Sequence, residues 1–122
     1  MVVCSEELRK KIMRYKHWES HLIEVTRAGL KGPMDECSLI LSKLSRSIVY
    51  DFMKMIDYYI NLPSYTKYHG GRRCDMKSLA LDYMWRQVHK FDPCKSNAWS
   101  FFSLPLKSGF HQVIKKGKKF DD

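Results

Sequence analysis

The chain predicts an all-α fold, a compact domain of about four to five helices, and three observations carry that expectation. Apolar residues recur at three- and four-residue steps over most of the length. Helix-starting residues (Ser, Asp, Asn) stand ahead of these runs, and Gly and Pro stand behind them. No alternating apolar–polar run of useful strand length is present, and no internal repeat.

Ser5-Glu6-Glu7-Leu8 reads as an N-cap followed by acidic first-turn residues, which suit the positive end of a helix. Leu8, Ile12, Tyr15, Leu22 and Val25 form its apolar stripe, and Gly29-Leu30-Lys31-Gly32-Pro33 closes it, so residues 1–33 are an N-terminal helix. A second, long helix is expected from Met34 or Asp35, with Cys37, Leu41, Leu44, Ile48, Phe52, Met55 and Tyr59 facing the core. Pro63 ends it, and a loop rich in tyrosine, glycine and arginine completes residues 34–74. Gly70-Gly71-Arg72-Arg73 has neither the Lys-Ser/Thr nor the preceding strand of a P-loop. It reads as a flexible connection with some scope for a DNA-backbone contact.

Asp75 is expected to cap a third helix reaching Lys90, with Met76, Leu79, Tyr83 and Val88 on or near its buried side. Phe91-Asp92-Pro93 is a turn, and Asn97 caps a fourth helix through Trp99 and Phe102. Pro105 is expected to break or kink that helix, and Gly109 to weaken the helical run after it. A short final helix then covers Phe110, Val113 and Ile114. Residues 75–119 thus hold the last helices, and 120–122 are a tail.

At 122 residues the chain is read as one domain, and its 44% hydrophobic content suits a folded core. A net charge of +9 fits either a solvated basic surface or a footprint for phosphates. Cys4, Cys37, Cys74 and Cys94 make no CxxC pair, and no signal peptide is evident, which points to reduced thiols in a cytoplasm. His17 and His21 share a helix face but lack a third ligand nearby, so neither a metal nor another cofactor is expected. No apolar run is long enough to span a membrane. Catalysis has no support from paired carboxylates, a nucleophile–base spacing or a nucleotide loop.

The segment Lys90-Phe91-Asp92-Pro93, followed by Trp99, Phe101 and Phe102 and then by lysines, resembles region 2 of bacterial sigma factors. Primary sigma factors carry D-L-x-Q-E-G-x-x-G-L-x-x-A-V-x-K-F ahead of their promoter-melting helix. Asp75, Met84, Val88, Lys90 and Phe91 agree with it in type, while Ser78, Leu79 and Ala80 replace the Gln-Glu-Gly trio. The chain is more similar to the short late-transcription sigma factors of T-even-type bacteriophages, with F-D-x-x-K-x-x-N-P-x-A-Y-x-T and then F-V-Q-R-I-K-K. Here Phe91-Asp92, Lys95, Asn97, Ala98 and Trp99 precede Phe110-His111-Gln112-Val113-Ile114-Lys115-Lys116.

The resemblance implies a sigma-region-2-like domain that binds host bacterial core RNA polymerase and melts an A·T-rich −10-like promoter element. The implied docking residues, facing the β′ coiled coil, are Asp75, Ser78, Leu79, Asp82, Trp85, Arg86 and His89, with Trp85 or Met84 as apolar anchor. The implied DNA contacts are Trp99, Phe101, Phe102, Lys107, His111, Gln112, Lys115 and Lys116. At 100° per residue the three rings cannot all face one core, so some are expected inside and one or two on the DNA. No helix-turn-helix for a −35 element is expected after Lys119, and Phe120-Asp121-Asp122 is at most a remnant of the phage family's clamp-binding tail, so clamp-coupled activation is not expected to transfer. A β-flap contact and a phage co-activator remain open as partners. Two other readings compete: a basic helical DNA-binding or architectural protein, and a polymerase-binding regulator that does not melt promoters.

Overall fold

A computed structural model describes residues 5–68, 71–92 and 97–121, with side chains described as far as Lys116. Four helices follow one another: α1 (Ser5–Ala28), α2 (Lys31–Ile60), α3 (Gly71–Arg86) and α4 (Ala98–Asp121). A 3-10 turn, Val88–Lys90, lies between α3 and α4, and the described residues contain no strand. The all-α expectation holds.

The first two helices form an antiparallel hairpin that closes at Gly29, whose φ of +72° only glycine adopts without strain. The Gly29 N–H donates to the Thr26 carbonyl at 3.1 Å and the Leu30 N–H to the Val25 carbonyl at 3.3 Å, so the last carbonyls of α1 are satisfied. Because of this tight reversal α2 begins at Lys31, three residues before Met34. Pro33 fits its first turn, where a missing N–H is no loss. Cys37, Ile48, Phe52, Met55 and Tyr59 of the expected stripe are buried, and Ile56 and Ile60 join them. The stripe widens toward the C-terminus because α2 there packs on α3 as well as α1. Lys11 and Asp51 pair at 2.7 Å across the hairpin, which compensates the nearly complete burial of the carboxylate.

The third helix begins at Gly71, four residues before Asp75. Its early start is fixed from outside: the Arg73 guanidinium donates to the Ile60 carbonyl at 3.3 Å and to Asn61 Oδ1 at 3.0 Å, capping the end of α2. Gly71-Arg72-Arg73 is therefore helical rather than a loose connection. The buried positions are Met76, Ala80, Met84 and Val88, while Leu79 and Tyr83 are half-buried, so the core face is rotated from the expected one. The helix ends at Arg86 rather than Lys90, and the 3-10 turn carries the chain to the buried Phe91. Lys16 from α1 donates to the carbonyls of His89 and Phe91 and ties this exit to the hairpin.

The expected break at Pro105 does not occur: α4 runs unbroken from Ala98 to Asp121 with the proline inside. Phe102 on one side of Pro105 and Leu106 and Phe110 on the other are fully buried, and this packing outweighs the lost backbone bond. Gly109 serves a different purpose from the weakening expected of it. A Cβ there would lie 2.6 Å from the Ala80 Cα and 2.7 Å from its nitrogen. The glycine lets α4 cross α3 backbone to backbone, and it fixes the register of the two helices.

Candidate nucleic-acid interface

Along α3 and the turn after it, Asp75, Ser78, Asp82, Arg86 and His89 are exposed. Asp82 and Arg86 pair at 2.8 Å one turn apart, and Arg86 also lies over the Tyr83 ring at 6.0 Å. An exposed pair of this kind contributes only about 0.3–0.5 kcal/mol, so a partner could exchange it at small cost. His89 is in the 3-10 turn, off the regular face of α3, with Nδ1 3.4 Å from Glu19. Leu79 is half-buried where α4 crosses. Met84 is excluded as an anchor because it is fully buried. Trp85 is half-buried and meets Tyr15 edge-on at 5.5 Å. Burial, and then Glu19, push the Tyr15 hydroxyl above the ordinary tyrosine range.

The start of α4 is held by Asn97, as the sequence predicts. Asn97 Oδ1 accepts from the Trp99 N–H at 2.9 Å and the Ser100 N–H at 3.3 Å. Ser5 of α1 donates to the same oxygen at 2.8 Å and accepts from the Trp99 N–H at 3.1 Å. The position of Trp99 is thus set by two helices.

Of the three candidate rings, Trp99 lies apart from Phe101 and Phe102. Phe102 is fully buried, 4.8 Å from Phe52 and 5.3 Å from Phe91 between ring centroids, so no base can reach it in this conformation. Its assignment as a DNA contact is corrected to core. Phe101 is half-buried against Phe91 and Phe102 and lines an open groove of about 490 Å³ with Tyr83, Arg86, Leu104 and Pro105. Trp99 is half-buried on the other side of α4, stacked on Tyr59 at 5.7 Å and edge-on to Tyr58 at 5.6 Å.

Lys107, His111 and Lys115 are exposed and step every four residues along α4. Lys107 Nζ sits 5.2 Å over the Tyr59 ring, which joins the basic row to the Trp99 cluster. Gln112 and Lys116 are exposed too, but each is turned about 100° from the residue before it and leaves the row. His111 Nε2 lies 3.5 Å from the Tyr65 hydroxyl, at the edge of hydrogen-bond range. Burial raises the Tyr65 hydroxyl above the ordinary tyrosine value. Lys118 and Lys119 side chains lie outside the described residues, as do Pro93, Cys94 and Lys95.

Sequence reasoning placed Tyr59 in the core stripe and passed over Tyr58. Yet a tyrosine pair at the end of α2 puts one ring inside and its neighbour outside, and Tyr58 is 44% exposed. His17 and His21 flank Trp18 edge-on at 5.7 and 5.6 Å, which gives both rings a packing role. Among the described residues no group of three His, Cys, Asp or Glu could hold a metal, and no helix is long and apolar enough to cross a membrane. The chain matches no family model, no curated protein and no solved structure.

Proposed function

We propose that the protein is a sigma-type initiation factor of the bacteriophage late-transcription kind, acting in the cytoplasm of an infected bacterium. It docks on host core RNA polymerase through the exposed face of α3 and opens an A·T-rich −10-like element with α4. One observation carries the reading. The polar face of α3 and the Lys107–His111–Lys115 row of α4, whose Lys107 reaches the Trp99 cluster over the Tyr59 ring, are locked together by the Ala80–Gly109 crossing. A polymerase held on one helix would therefore hold the DNA-facing helix in a fixed position.

The energetics suit a shared task. Unpairing a base costs a few kcal/mol, while stacking on one aromatic ring returns about 1–3 kcal/mol. Trp99 alone offsets only part of the opening, so polymerase contacts and phosphate contacts from the lysine row must supply the rest.

The test is transcription with purified host core on templates carrying a TATA-like box upstream of the start. Specific initiation that depends on the protein is the expected result, and no specific start would refute the reading. The Asp82–Arg86 pair favours one competing reading, a basic helical DNA-binding protein, because an internally neutralised face needs no polymerase. Co-elution with core separates the two: Asp75→Arg with Asp82→Arg should abolish it while leaving the helical spectrum unchanged.

A further inference from the structure

We propose that the outer face of α2, through Tyr50, Lys54 and Tyr58, binds single-stranded nucleic acid as a continuation of the Trp99 platform. The proposal rests on the nucleic-acid part of the proposed function and is independent of polymerase docking. Tyr50 and Tyr58 are 60% and 44% exposed, so both rings present stacking surface to solvent on the side of α2 away from the core. Lys54 lies between them in sequence, four residues from each, and its Nζ sits 4.4 Å over the Tyr50 ring. The three side chains follow one strip of α2 over about 12 Å.

At its C-terminal end the strip meets α4: Tyr58 contacts Trp99, Trp99 stacks on Tyr59, and Lys107 covers Tyr59. Rings interleaved with cations therefore run across two helices, from Tyr50 to Lys54, Tyr58, Trp99 and Lys107. Stacking surfaces interleaved with cations are the arrangement that holds a strand whose bases are unpaired and whose phosphates are close by. A duplex hides its base faces and could use only the lysines.

The local charge agrees. The two carboxylates adjacent to this strip in sequence, Asp51 and Asp57, are engaged by Lys11 at 2.7 Å and Lys77 at 3.3 Å. Little negative charge opposes a phosphate chain there, in a protein carrying +9 overall.

Fluorescence anisotropy of a labelled oligothymidylate, set against the same label on a duplex, tests the proposal with the full chain. Tyr58→Ala and Tyr50→Ala should each weaken single-strand binding about 5- to 100-fold. Tyr58→Phe should retain affinity, and duplex binding should change little. Both rings are exposed, so thermal melts should match the parent and rule out unfolding. Unchanged single-strand affinity in both alanine variants would overturn the α2 path. If Trp99→Ala alone then loses affinity, the promoter-opening reading survives without it. Conversely, sensitive alanine variants in a protein that fails to direct initiation would sink the sigma reading and leave this strip standing.

Discussion

Two aromatic clusters meet along α4, and they differ both in ring type and in what surrounds them. Phe91, Phe101 and Phe102 gather on the side covered by α2 and the end of α3, where Phe102 has no exposure at all. Trp99, Tyr58 and Tyr59 gather three residues away, where Tyr58 stays exposed and Lys107 provides a cation. Rings of the inner cluster carry no polar atom, whereas each ring of the outer one has a hydroxyl or N–H that water or a ligand can meet. Proximity in sequence to a functional ring therefore says little about a neighbour's role.

The comparison is most directly broken at Phe102. Phe102→Ala should cost about 3–5 kcal/mol of stability by leaving a cavity among Phe52, Phe91 and Leu106. Trp99→Ala should cost clearly less and act mainly on DNA opening. Urea unfolding of the two variants, with permanganate reactivity of promoter thymines, checks both; equal destabilisation would mean the clusters are one core.

A smaller effect is expected at the crossing that holds the clusters in register. Gly109→Ala forces a methyl against the Ala80 backbone and should destabilise by about 1–3 kcal/mol, since backbone cannot yield as a flexible side chain does. A thermal melt at or above that of the parent would show that the helices need not approach so closely.

The smallest effect is a pH dependence that the phenylalanine cluster cannot produce. Tyr15, against Trp85, and Tyr65, against Phe110, hold their protons more tightly folded than unfolded, chiefly through burial. Folded values above the ordinary 10.0 mean that the contribution of these two hydroxyls to stability is fully present below about pH 10 and is lost as pH rises through the folded values. Denaturation midpoints followed from neutral to alkaline pH should show that loss, reduced in Tyr65→Phe; a flat profile would contradict it.

Much of this was legible in the chain. Apolar spacing gave the helices and most of their buried stripes, and Asn97 announced its cap, because these depend on contacts within a few residues. The features beyond reach depended on distant partners. Gly71–Cys74 became helix because Arg73 caps α2, and Pro105 stayed inside a helix because Phe102, Leu106 and Phe110 anchor both sides. Gly109 read as a weakness until Ala80 stood against it.

The sequence by itself determined an all-α, basic chain whose C-terminal helix carries aromatic rings followed by lysines. Only the tertiary structure decided that Phe102 faces inward, that Trp99 shares a surface with Tyr58, and that Met84 is core rather than anchor. The physical reason is that periodicity fixes which residues share a face of a helix. Which face is covered, and by what, depends on helices tens of residues away.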